Sequence, residues 1–197
     1  MNHYRRNLLA LAALPWLAAA CEKAKPPFKS IDITGAEYAR KLELPDADGK
    51  PRTLADFKGK VAVVFFGYTQ CPDVCPGTLA ELTEARKRLG AGGSTVVPIF
   101  VTIDPERDTA VIVKAYVASF GPDTVALRGT LEQTREAAKE FKVFFAKAPS
   151  RTPESYTMDH TAGAYVFDRQ GKVRLFVRYG TGTEVLAHDL KLLVDGA

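Results

Sequence analysis

The sequence predicts an α/β domain with a central mixed sheet flanked by helices, and three observations predict it. From residue 61 onward, short β-branched and aromatic runs alternate with amphipathic stretches of helix length; this order of elements builds a partly parallel sheet with helices on both faces. The run Val61-Ala-Val-Val-Phe-Phe66 is apolar at every position, as a strand covered on both faces must be. From Ala164 the pattern changes to two strand-like runs around a tight turn and then a last helix, which adds an antiparallel hairpin. A chain of 197 residues, 46% hydrophobic and 25% charged, suits one well-buried domain.

The first residues stand apart. Arg5 and Arg6 precede the uncharged apolar run 8–20, which ends in Ala18, Ala19 and Ala20, so residues 1–20 read as a cleaved export signal. At about 13 residues that run is short of the ~20 needed to span a bilayer. Cys21 follows directly, and the pattern resembles a bacterial lipobox, although Ala18 occupies the usual leucine position and Leu17 lies one place early. Cys21 is the expected lipidation site, residues 21–27 a polar, proline-bearing tether, and residues 28–197 the folded domain on the periplasmic side. A plainly secreted chain and an uncleaved anchor are the alternatives, and an arginine pair is too common in such signals to specify twin-arginine export. Without residues 1–20, 25 Lys+Arg face 23 Asp+Glu. That near neutrality, and the lack of a basic run with interleaved aromatics, leaves nucleic-acid binding without electrostatic support.

Along the domain, 28–52 reads as an extended lead-in with Asp46-Ala-Asp-Gly49 as a hairpin turn, and Thr53-Leu54 opens a short helix that Gly59 ends. The central strand 61–66 leads through loop 67–74 into a helix over 76–89, with Leu79, Leu82 and Leu89 at helical spacing and Gly90 as its stop. Next come a strand over 96–103, a helix over 110–120, a short strand over 125–127 and a charged amphipathic helix over 131–145. The hairpin takes 164–167, the turn Asp168-Arg-Gln-Gly171 and 172–179, before a last helix over 183–194. Strand–helix repeats that close on a hairpin and a helix describe a thioredoxin-like fold, with the extra N-terminal segment of its peroxiredoxin-like variants.

The residues that carry chemistry sit at the first strand-to-helix junction. Cys71-Pro-Asp-Val-Cys75 follows the central strand, and Pro76 biases the helix to begin there, with Cys75 near its N-cap and Cys71 in the loop. The positive end of a helix dipole favours thiolate, the form that attacks disulfides and binds soft metals. With three residues between them, the cysteines can close a small disulfide loop or converge on one ion, and the spacing alone excludes neither. Two thiolates match Cu(I) by softness, and a third, imidazole ligand lets the same site hold Cu(II). His160, just before the strand 164–167, is the candidate: if that strand lies antiparallel beside 61–66, the imidazole faces the cysteine loop. His3 falls in the signal, and His188 lies on the polar side of the last helix, away from Leu186, Leu190 and Leu193, where it reads as solvated.

Three motifs in order, Gly67-Tyr-Thr-Gln-Cys-Pro-Asp-Val-Cys-Pro76, Val101-Thr-Ile-Asp-Pro-Glu-Arg-Asp-Thr109 and Asp159-His160, resemble the Sco/SenC family of copper chaperones. The likeness covers the chain after the tether. It implies a thioredoxin-like fold, a copper site made by Cys71, Cys75 and His160, attachment to the membrane, and a role in maturing the CuA centre of cytochrome c oxidase. The partner so implied is the CuA-bearing subunit or another periplasmic copper protein.

Plainer readings stand beside these. Cys71 and Cys75 can form an ordinary disulfide in an oxidising compartment, though so short a loop gains little stability from one. Asp73 and Asp159 are candidate second-layer residues that tune the ligands, against the ordinary role of a turn-capping aspartate. Met158 reads as a gap-filling core residue rather than a soft ligand, and Asp104-Pro-Glu-Arg-Asp108 as a charged partner-facing loop or an internally paired turn. As to function, a copper carrier without turnover competes with a thiol-disulfide oxidoreductase that reduces a copper-accepting partner, although such enzymes usually space their cysteines by two. A peroxidase ranks last: it needs Thr or Ser and an Arg around its cysteine, and Thr69 is present where no arginine occurs in the loop.

Overall fold

The computed structural model describes residues 27–149 and 156–197; the export signal and Cys21 lie outside them. Six strands form one mixed sheet: β1 (Ile31–Asp32), β4 (Val61–Gly67), β5 (Val96–Thr102), β6 (Val125–Leu127), β9 (Gly163–Phe167) and β10 (Val173–Arg178), in the order β1-β10-β9-β4-β5-β6. Two outlying hairpins are β2 (Glu43–Pro45) with β3 (Pro51–Thr53), and β7 (Phe145–Pro149) with β8 (Tyr156–His160). The helices are α1 (Val74–Arg88), α2 (Ala110–Ala118), α3 (Leu131–Glu140) and α4 (Thr183–Val194). This is the thioredoxin-like α/β arrangement that the alternation of elements predicts.

All seven residues of β4 are buried, because β4 is central: it runs parallel to β5 and antiparallel to β9, with Phe65 opposite both Phe100 and Ala164. Alternation along the strand sends neighbours to opposite faces. Phe65 and Phe100 meet on one side, where Phe100 also packs against Tyr116 of α2. Phe66 meets Phe141, at the end of α3, on the other. The Asp46 turn is as predicted, with Gly49 N–H donating to Asp46 O and Gly49 at φ +81°.

Three boundaries differ from the sequence reading. Helix α1 starts at Val74, two residues early, so Pro76 sits in the first turn, where its missing N–H would have had no helical partner. Helix α3 ends at Glu140 rather than continuing to 145: Lys142 takes φ +53°, and the chain then joins the β7–β8 hairpin. Residues 156–160, which the sequence reading assigns to no element, therefore form strand β8. At the other end of the fold, the fully buried carboxylate of Asp189 accepts hydrogen bonds from the backbone N–H groups of Lys29 and Ser30, fastening the lead-in to α4.

Candidate metal centre

The end of β4 delivers the cysteines. Gly67, its last residue, has no side chain to obstruct the sulfur: a Cβ there would lie 2.9 Å from Cys75 Sγ and 2.7 Å from the Phe65 ring. The chain then turns, with Cys71 N–H donating to Tyr68 O, and enters α1 at Val74. Cys75 N–H donates to Cys71 Sγ at 3.3 Å. Both thiols are free, with Cys71 half-buried and Cys75 fully buried.

The third group arrives from β8. Antiparallel pairing of β9 with β4 puts the start of β9 beside the end of β4, and His160 stands three residues before that start. Its Nε2 stands 3.6 Å from Cys75 Sγ, and the donor atoms of Cys71, Cys75 and His160 all lie within 4.8 Å of one another. Nδ1 is 3.1 Å from Thr161 O. A carbonyl only accepts, so Nδ1 carries the proton and Nε2 presents a lone pair to the sulfurs. The Phe65 and Tyr68 rings hold the imidazole edge-on at 6.0 Å each. Burial lowers the His160 pKa, which keeps the ring neutral and able to ligate.

One electrostatic expectation is corrected. The helix N-terminus does not make Cys75 a thiolate in the metal-free protein: burial, reinforced by the neighbouring Cys71, pushes its thiol far up. Loss of water outweighs half a dipole charge at a fully buried sulfur. A cation held by Cys71, Cys75 and His160 would supply the missing counter-charge and favour the Cys75 thiolate.

The Asp104–Asp108 loop proves to be an internally paired turn, and it joins both halves of the site. The fully buried Asp108 carboxylate accepts from Thr69 Oγ1 at 2.6 Å, Thr69 N–H at 3.1 Å and Thr102 Oγ1 at 2.5 Å, which fixes the loop two residues before Cys71. Arg107 pairs with Asp104 at 2.5 Å, donates to Gln70 Oε1 at 3.1 Å and to Tyr156 O at 2.8 Å, and lies 3.5 Å over the Tyr156 ring. Tyr156 Oη donates to Asp104 Oδ1 at 2.8 Å. One guanidinium thus clasps the cysteine loop to the hairpin that bears His160. Sequence reasoning placed this arginine only within a charged turn at a strand's end; its reach to the cysteine loop and to β8 has no signal in the sequence.

The remaining candidates are peripheral. Asp73 is the N-cap residue of α1, is exposed, and accepts from Tyr179 Oη at 3.2 Å without capping the helix itself. Asp159 is exposed on β8. Met158 packs in the hydrophobic core. His188 is not simply solvated: Nδ1 lies 2.9 Å from the buried Asp189 carboxylate, far from the thiols in the fold.

Comparison with known proteins settles the family. The SCO1/SenC sequence profile matches residues 32–195. The chain belongs to the SCO1/SenC family. A SCO2-like protein of Rickettsia felis is 32% identical over 168 residues, covering 84% of this chain and 82% of its own. Among solved structures, Bradyrhizobium japonicum ScoI with copper bound superposes with a TM-score of 0.69 at 38% identity, over 78% of this chain and 97% of that one. A SCO1/SenC family lipoprotein from Bacillus anthracis superposes with a TM-score of 0.66 at 26% identity, over 80% of this chain and 98% of its own. In this SCO1/SenC chain, no helix among the described residues is long and apolar enough to cross a membrane.

Proposed function

We propose that this protein is a copper chaperone that binds copper through Cys71, Cys75 and His160 and delivers it to the CuA centre of cytochrome c oxidase. The observation that carries the reading is the convergence of two sulfurs and one imidazole nitrogen within 4.8 Å, from elements 85 residues apart in sequence. That donor set fits copper: two thiolates suit Cu(I), and the imidazole extends the set to Cu(II). The half-buried Cys71 is the ligand a receiving protein can reach first, while Cys75 and His160 hold the ion from behind. ScoI, with copper bound at 38% identity, supports the same assignment. Residues 1–20 act as the export signal and Cys21 carries the lipid, with 21–27 as the tether and 28–197 as the periplasmic domain; the Bacillus lipoprotein relative supports this attachment.

Anaerobic titration of the reduced protein with Cu(I) tests the site. One tightly held copper in the wild type, lost in Cys71→Ala and Cys75→Ala, is expected; failure of the reduced wild type to retain one copper sinks the reading. A second reading, reduction of an acceptor's disulfide by the Cys71–Cys75 pair, is favoured by a reachable Cys71 sulfur that accepts from the Cys75 backbone N–H, beside the buried Cys75 sulfur. Rapid turnover with a dithiol reductant and weak metal retention is the result that selects it.

A further inference from the structure

A groove of about 580 Å³ opens between α3 and the β7–β8 hairpin that carries His160. Its base is apolar, formed in part by Ile103, Ala138 and Val143. Phe145, also in its wall, is the cross-strand partner of His160. Phe144 lines the groove with 64% of its surface exposed, although nothing about its backbone is loose: its N–H donates to Thr161 Oγ1 at 3.0 Å and its carbonyl accepts from Thr161 N–H at 3.0 Å. Thr161 is the residue whose carbonyl fixes the His160 tautomer. A large aromatic held rigidly in water, one hydrogen-bonded residue from a metal-ligating imidazole, has the character of an interface contact.

The charge of the groove is one-sided. Its acids are already engaged, Asp104 by Arg107 and Tyr156, and Glu106 by Lys147 at 2.6 Å. Arg135 and Lys139, one turn apart on α3, line the wall, and neither has an ion-pair partner among the described residues. Glu132 and Glu136 of the same helix lie outside the groove lining. An apolar floor with an exposed aromatic and two cations that have no ion-pair partner among the described residues calls for a ligand of complementary kind.

We propose that this groove docks the copper-accepting protein through an acidic segment of that partner, whose carboxylates pair with Arg135 and Lys139 and whose apolar side chain covers Phe144. The inference rests on the copper-delivery reading above. Docking here holds the acceptor on the His160 flank of the cluster and leaves Cys71 free for ligand exchange, and long-range attraction to the basic wall speeds encounter.

The test measures association of the copper-loaded protein with the metal-free, soluble CuA-bearing domain of the oxidase at low and high salt. The wild type should associate faster at low salt. Arg135→Glu combined with Lys139→Glu should slow association by about tenfold or more and flatten its salt dependence, Phe144→Ser should speed dissociation, and both should keep one copper per chain. Lys139→Glu alone serves if the double variant misfolds, with a smaller slowing in the same direction. Wild-type association that these variants leave unchanged overturns the groove assignment alone. Loss of binding to anionic phosphatidylglycerol vesicles with unchanged acceptor binding overturns it in favour of a membrane contact. No association by the wild type at any salt overturns the acceptor reading and the groove with it.

Discussion

The two arms of the proposed metal centre are built by different means. The cysteine arm is local: β4 ends, the chain turns, α1 begins, and both sulfurs fall within five consecutive residues, with Cys75 N–H already on Cys71 Sγ. The histidine arm is assembled from a distance, through β9 pairing with β4 and through Arg107, which ties Tyr156 of β8 to Gln70 of the cysteine loop. Both arms draw on the Asp104–Asp108 turn, through Thr69 and Gln70 on one side and Tyr156 on the other, but the two sulfurs also share a local backbone contact that the imidazole lacks. In the proposed site an oxidation-state dependence is expected, because two soft sulfurs suit Cu(I) by themselves and the imidazole extends the set to Cu(II).

The largest effect therefore comes from removing ligands one at a time. Cys75→Ala should abolish stoichiometric binding of both copper ions. His160→Ala should leave Cu(I) bound and remove Cu(II) together with its thiolate charge-transfer absorption. Parallel titrations under reducing and oxidising conditions read the split, and equal losses of both ions in His160→Ala would show that the arms are not separable.

Arg107→Ala tests whether the clasp is what places the imidazole. The substitution removes charge-assisted hydrogen bonds to Asp104, Gln70 and the Tyr156 carbonyl, each about 1.5–3 kcal/mol in favourable settings. It should weaken Cu(II) by roughly 10–100-fold, as loss of a ligand-supporting contact does, with a much smaller change for Cu(I). Amide exchange should rise in 156–160 and stay slow in α1. Arg107→Lys keeps the charge without the planar fork and should restore little. Uniform loosening of both arms would instead make Arg107 a general stability residue.

The same division explains what the sequence disclosed. The β4 run, the last helix over 183–194 and, to within two residues of its end, the helix read over 110–120 were legible because one unbroken run covers each, and the cysteine arm because its ligands and breakers are neighbours. The β7–β8 hairpin was not: Phe141, Val143 and Phe145 extend the apolar stripe of α3 past its real end, and nothing before Lys142 announces its left-handed backbone. His160 was found through the pairing of β9 with β4, which lies in the legible part. Asp108 and Arg107 were read only as a charged turn, since a buried polar network has no signature until the strands bring its members together.

Acidity distinguishes the arms more weakly. The folded state holds the His160 pKa below its free value of 6.5, so as pH falls below about 6.5 the unfolded chain takes up a proton that the folded protein resists. Stability contributed by the neutral, buried ring is present above that pH and lost below it. Cys75 works in the opposite direction: its thiol stays protonated beyond the ordinary 9.0, so its contribution holds below pH 9 and is lost as pH rises further. Denaturant unfolding of the reduced, metal-free protein should thus decline at both ends. His160→Gln should flatten the acid limb and Cys75→Ser the alkaline one; an acid limb unchanged in His160→Gln would assign that proton elsewhere.

The smallest effect is expected at the outer edge of the cysteine arm. Tyr179 donates to Asp73 at 3.2 Å and lies across Gly77, where an added Cβ would meet its ring at 3.1 Å. It is the only side chain among the described residues that engages the N-cap aspartate, so it is the natural candidate for an external support of α1's first turn. Yet Tyr179 is exposed, and water can replace its hydroxyl at little cost. The first turn is already secured by Gly77 N–H on Asp73 O and Cys75 N–H on Cys71 Sγ. Tyr179→Phe should therefore keep Cu(I) affinity within about twofold and the melting temperature within about 2 °C. A tenfold loss of Cu(I) would mean that the local contacts of α1's first turn do not suffice to hold the sulfurs, and the contrast between the two arms would fail at its stronger end.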